Sequence, residues 1–192
     1  DTKTGLPIVS LHGKNKKPNS ESLKGIDIVV FDIQDVGSRF YTYISTLHYV
    51  MEACAENNVS LIVLDRPNPN GNYVDGPVLE VEHSSFLGMH PIPLVHGMTI
   101  GELANMFNSE KWLGENLSAN LTIIEMKGWD RNLLFDQYRL PWINPSPNIP
   151  SLNTALLYPG MCLIEGVNVF IIMHDNKSFN SAASIVHSQV RY

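Results

Sequence analysis

The chain has 192 residues, 44% of them hydrophobic and 17% charged, and a formal net charge of −6. That balance suits a globular protein with a sizeable core, and it speaks against nucleic acid or anionic lipid as partners. No apolar run approaches the roughly 20 residues needed to cross a bilayer, and no signal peptide opens the chain. Cys54 and Cys162 stand far apart in apolar runs and read as buried free thiols rather than a disulfide, and the histidines lack metal-ligand spacing. No metal and no cofactor is expected. The start at Asp1, without an initiator Met and directly before a strand-like run, reads as a processed or truncated polypeptide.

In chain order, Pro7 to Leu11 reads as a short strand. Asn19 or Ser20 caps a short helix through Leu23, closed by Gly25. Ile26 to Phe31 is a near-continuous β-branched run, the pattern of a strand covered on both faces. A helix is predicted from about Phe40 to Asn57, because Phe40, Tyr43, Ile44, Leu47, Met51 and Cys54 recur at the spacing of one buried face. Val59 to Leu64 forms the next strand, which makes a βαβ unit with parallel strands. Residues 72 to 97 read as a long loop, of the kind that is functional or covers a site. Thr99-Ile100-Gly101-Glu102 fits a capping box opening a helix to about Phe107. Leu121 to Glu125 is a further strand, Trp129 to Tyr138 a short helix, and Ser151 to Tyr158 a helix after a proline-rich stretch.

The polar residues gather where the strands end. After Phe31 come Asp32, Gln34, Asp35 and Arg39, and after Leu64 come Asp65, Arg66 and Asn68. In α/β sheets ligands bind outside the carboxyl ends of the strands, so Asp32, Gln34, Asp35, Asp65 and Arg66 are expected to approach one another. Asp35 or Ser38 caps the following helix, which is compatible with a functional role for at least one of the two aspartates. An Asp-x-Asp phosphatase reading fits poorly, since the spacing is Asp-x-x-Asp. Arg39 either forks onto a substrate carboxylate or pairs with an aspartate. Of Tyr41 and Tyr43, one is core and the other is free to meet a sugar. His90, between glycine and proline, reads as less suited to a core than His48, and His96 is a weaker candidate. Glu102 reads as the capping partner of Thr99. Glu165, inside an apolar run and followed by Gly166 and Asn168, is costly unless paired or used. Carboxylates with tyrosine, asparagine and arginine suit a carbohydrate site, and equally a phosphate ester or simple binding.

Phe31-Asp32-Ile33-Gln34-Asp35-Val36-Gly37-Ser38-Arg39-Phe40-Tyr41-Thr42-Tyr43, Leu64-Asp65-Arg66-Pro67-Asn68-Pro69 and Asp75-Gly76-Pro77 together resemble the DUF1343 (YbbC-like) family. So do Gly88-Met89-His90-Pro91-Ile92-Pro93, His96-Gly97-Met98-Thr99-Ile100-Gly101-Glu102, Pro145-Ser146-Pro147-Asn148 and Tyr158-Pro159-Gly160. The resemblance runs over about residues 3 to 169. It implies exo-β-N-acetylmuramidases, bacterial and secreted or periplasmic, which release N-acetylmuramic acid from the non-reducing ends of peptidoglycan fragments. It also implies a Rossmann-like three-layer α/β domain with a largely parallel sheet, here residues 1–169. A smaller second domain, absent from this chain, would complete the cleft.

Two departures accompany the resemblance. The family's Pro-Glu-His-Gly-type segment, whose glutamate is its leading catalytic candidate, lies upstream of Asp1. Val167 stands where the family has threonine, and residues 170–192 form a tail that no longer matches. On this reading Asp32, Asp35 and Glu165 are the catalytic candidates. Gln34, Arg39, Tyr41, Asp65, Arg66, Asn68, Asp75, His90 and Asn168 are the substrate-binding ones, with Arg39 or Arg66 on the lactyl carboxylate of a muropeptide or a MurNAc-GlcNAc saccharide. The isolated chain is then expected to have little or no activity. The competing class is a non-catalytic muropeptide-binding module, with a phosphatase-like hydrolase behind it.

Overall fold

The structure, a computed structural model, describes residues 1–164, 170–172 and 184–186. In chain order its elements are α1 (Ser20–Leu23), β1 (Ile28–Phe31), α2 (Tyr43–Glu56), β2 (Ser60–Leu64), β3 (Asp75–Val78), β4 (Pro93–Val95), α3 (Ile100–Ser109), β5 (Leu121–Ile124), α4 (Leu152–Met161), β6 (Phe170–Ile172) and β7 (Ser184–Val186). β1, β2 and β5 form one parallel sheet in that spatial order, with Val29 opposite Leu61 and Leu61 opposite Leu121. The α/β architecture and the parallel βαβ unit are therefore as the sequence predicts.

Residues alternate across a strand, so Phe31, Leu61 and Val63 point to one face and into the main core. There they join Ile44, Leu47, Met51 and Cys54 of α2 and Leu103, Ala104 and Phe107 of α3. The helical stripe of α2 is buried as its spacing requires. Its first two expected members differ: Phe40 and Tyr43 pack instead with Val36, Tyr41, Ile149, Ala155 and Tyr158 in a second apolar cluster beneath α4. Both cysteines are buried, Cys54 as a free thiol and Cys162 with its thiol donating to the Pro159 carbonyl, and among the described residues no helix is long and apolar enough to cross a membrane.

Five local expectations are corrected. Pro7 to Leu11 is not a strand, since among the described residues β1 takes only β2 as a partner and Ile8 is 76% exposed. β1 is an edge strand, not one covered on both faces: Ile28 and Val30 are 53% and 55% exposed. The stretch from 72 to 97 holds an antiparallel ribbon, β3 against β4, with Ser38 bridged to Val95. Between Trp129 and Tyr138 only Phe135–Tyr138 is helical, as a 3₁₀ turn. α4 continues to Met161, past the expected end at Tyr158, with Pro159 in its last turn.

Candidate functional site

β1, β2 and β5 all end at one edge of the sheet. The segments that leave them line an open cleft of about 430 Å³, with Asp32, Asp65, Arg66, Lys127, Trp129 and Tyr138 among its walls. Arg66 donates from Nε to Oδ1 of Asp32 at 2.6 Å, and its NH2 nitrogen lies 2.6 Å from the same oxygen. No donor among the described residues reaches Oδ2 of Asp32, which leaves that oxygen available to a ligand hydroxyl. The ring of Trp129 stacks near that of Tyr138, with centroids 5.6 Å apart. The Tyr138 hydroxyl is engaged by the backbone of Asp130, so this wall presents ring faces rather than a phenol.

Asp65 is half-buried and faces the start of α3. Its carboxylate accepts from the Thr99 hydroxyl at 2.8 Å, the Gly101 N–H at 2.8 Å and its neighbour's Arg66 N–H at 3.1 Å. Burial raises its pKa, and those donors pull it back. Thr99 and Glu102 close the expected capping box, and Arg131 grips Glu102 and the carbonyl of Gly97, tying the 126–138 segment to α3.

Beneath the cleft the strand-end loops are joined by side-chain amides. Gln34 donates to the carbonyls of Asp35 and Pro67 at 2.7 and 2.8 Å. Asn68 donates to Met98 O and accepts from Asn70 N, both at 2.8 Å, while Asn70 donates to Val36 O and Ala155 O. Gly37, at φ +80°, sits so close that a Cβ there would lie 2.2 Å from Asn68 Oδ1. Gln34 and Asn68 thus hold the floor together.

Asp35 is 5% exposed and does not line the cleft. One of its oxygens accepts from Gly37 N at 2.8 Å and the other has no partner. It does not cap α2, whose N-terminal residue Thr42 makes no side-chain cap. His96 lies 3.9 Å away, too far for a hydrogen bond, with Nδ1 accepting from Met98 N and Nε2 unpartnered. Burial pushes the Asp35 carboxyl up to about 7 and His96 down to about 4. The two therefore face each other as near-neutral groups, not as an ion pair.

These shifts set a pH dependence. The fold keeps the Asp35 proton to about pH 7, whereas an unfolded aspartate releases it near 3.8, so this residue costs stability progressively as pH rises between those values. His90 and His96, lowered by burial to about 3 and about 4, do the reverse: their contribution is present above 6.5 and fades as pH falls toward those values. Among these three groups the two histidines outweigh the one carboxylate, so together they contribute less stability as pH falls. Asp35→Asn removes the opposing slope. Its melting temperature relative to wild type should rise more at about pH 8 than at about pH 4.5, as read by scanning calorimetry. An equal offset at both would contradict a neutral Asp35.

The other candidates fall elsewhere. Arg39 donates to the carbonyls of Pro77 and Ile92 at 2.8 and 2.6 Å, fastening the ribbon, and does not reach the cleft wall. Asp75 is exposed on β3 and accepts from Gly76 N. Tyr41 is buried in the second apolar cluster, edge-on to Tyr43, whose hydroxyl donates to Pro145 O. His90 is 1% exposed, hydrogen-bonded to His48 at 2.9 Å and stacked on Phe107 and Trp112. It is the more deeply buried of the two histidines, a correction of the expectation from its loop setting. Glu165 and Asn168 lie outside the described residues. Lys127, Trp129 and Tyr138 are wall residues beyond the two strand ends considered above, and the strand-end rule applied to the third strand reaches the first two of them.

A family profile described as "Exo-beta-N-acetylmuramidase NamZ, N-terminal" matches residues 1–153. Over 170 residues the chain is 55% identical to the peptidoglycan β-N-acetylmuramidase NamZ of Bacillus subtilis (strain 168), covering 88% of this chain and 40% of that protein. Crystal structures of two DUF1343 family proteins from Bacteroides fragilis NCTC 9343 give TM-scores of 0.84 and 0.79 at 46% and 49% identity. Each match covers 88% of this chain, and 44% and 45% of theirs. The chain spans less than half the length of these relatives. A strand-end cleft in an α/β sheet, the profile match and the level of identity lead to one conclusion: this chain belongs to the exo-β-N-acetylmuramidase NamZ N-terminal family.

Proposed function

We propose that this chain is the substrate-holding α/β part of an exo-β-N-acetylmuramidase that releases N-acetylmuramic acid from the non-reducing ends of peptidoglycan fragments. The observation that carries the reading is the cleft itself. It joins a carboxylate–guanidinium fork, able to accept from and donate to sugar hydroxyls, to an aromatic wall on which a pyranose face can stack. Its carboxylates, Asp32 and Asp65, are engaged by Arg66 and by the start of α3. They hold and orient; the bond-cleaving acid comes from outside the described residues.

A chimera tests this. Residues 1–153 of this chain replace the matching stretch of the Bacillus subtilis relative, and the product is followed by chromatography on a synthetic muramyl glycoside. The chimera should release N-acetylmuramic acid. Arg66→Ala within it should lower turnover about tenfold, the loss of roughly one charge-assisted hydrogen bond. A folded chimera that binds the saccharide without releasing product would favour a non-catalytic muropeptide-binding role instead.

A further inference from the structure

N-acetylmuramic acid differs from N-acetylglucosamine by an acidic lactyl ether, so a site that prefers the former needs a cation it has not already committed. Arg39 is spent on two backbone carbonyls. Arg66 is forked onto Asp32, and Arg131 onto Glu102. Within the cleft Asp65 is offset by the N–H groups at the start of α3 and by the Thr99 hydroxyl. One charge in the lining remains. Lys127 has no carboxylate partner among the described residues, and it stands on the same wall as Trp129 and Tyr138.

We propose that Lys127 is the specificity-determining cation of this cleft, taking the lactyl carboxylate while the aromatic wall takes the sugar face; the proposal rests on the saccharide reading above. The geometry suits it. Lys127 leaves the end of β5 two residues before Trp129, so charge and stacking surface arrive on one short segment, and Arg131 anchors that segment to α3. An ammonium on a flexible stem acts here as a point charge and does not demand the planar fork that Arg66 already gives to Asp32.

The test uses the 192-residue chain and three probes, N-acetylmuramic acid, its lactyl methyl ester and N-acetylglucosamine, titrated by NMR. Wild type should bind the acid about tenfold more tightly than either neutral sugar at low salt, with the preference shrinking as salt is raised. Lys127→Gln should reduce the preference to less than about twofold and leave the two neutral affinities unchanged, while Lys127→Arg should retain most of it. Thermal melts of both variants should match wild type, since Lys127 is exposed. If Lys127→Gln keeps the full preference, this assignment is overturned and the saccharide reading stands. If wild type binds none of the three, both fall.

Discussion

Asp65→Ala should cost the domain about 3 kcal/mol of stability and uncouple α3 from the sheet. The carboxylate accepts from the Thr99 hydroxyl, Gly101 N–H and Arg66 N–H, and Thr99 itself is 1% exposed. Removing the acceptor leaves the buried Thr99 hydroxyl and Gly101 N–H without it, which is more damaging than the loss of an exposed bond. Asp65→Asn keeps an acceptor and should recover about half of the loss. Gly101→Ala should act in the same direction. A Cβ there would lie 2.8 Å from Ile123 and 2.9 Å from the Asp65 carboxyl carbon, so the helix start must move away from β5. Urea unfolding of the three variants separates these effects. A loss of saccharide binding by Asp65→Ala at unchanged stability would show instead that Asp65 serves the ligand directly.

His90→Ala is expected to cost about 3 kcal/mol and to leave saccharide binding intact. The ring packs against both Phe107 and Trp112, with centroids 4.0 and 5.0 Å away, and satisfies His48 on α2. Burial and the neighbouring His48 hold His90 neutral, its pKa lowered to about 3. A cation there would have no counter-charge among the described residues. His90→Phe keeps the stack but abandons His48 Nδ1, so a smaller loss of about 1–2 kcal/mol should follow. Unchanged unfolding together with weakened sugar binding would return His90 to the site.

The contrast between these two residues shows where local pattern suffices. The Thr99–Glu102 capping box is visible in four consecutive letters, because its partners lie three residues apart and the bonds are made within one turn. The buried stripe of α2 is equally local. His90 has proline after it and glycine two residues before, signals of a loop, and nothing nearby announces that Phe107 and Trp112 will close over it. The β3–β4 ribbon was missed for the same reason. Its paired residues, Asp75 with Val95 and Val78 with Pro93, lie far apart along the chain, and Asp75-Gly76-Pro77 lacks the alternation that marks a strand.

By itself, the sequence determined the parallel βαβ unit and the placing of Asp32 and Arg66 at one edge, since these follow from periodicity and from strands ending in polar residues. It also carried the family. Tertiary structure alone decided the division of labour among the charged groups. Arg39, Arg66 and Arg131 are alike as letters, yet they fasten a ribbon, fork an aspartate and clamp a helix cap. Asp32, Asp35 and Asp65 meet a guanidinium, a buried near-neutral histidine and a helix start. Which charge remains for a ligand depends on which are already paired, and pairing is settled by distances between residues far apart in the chain. That is why Lys127 stands out as the uncommitted cation only in the folded cleft.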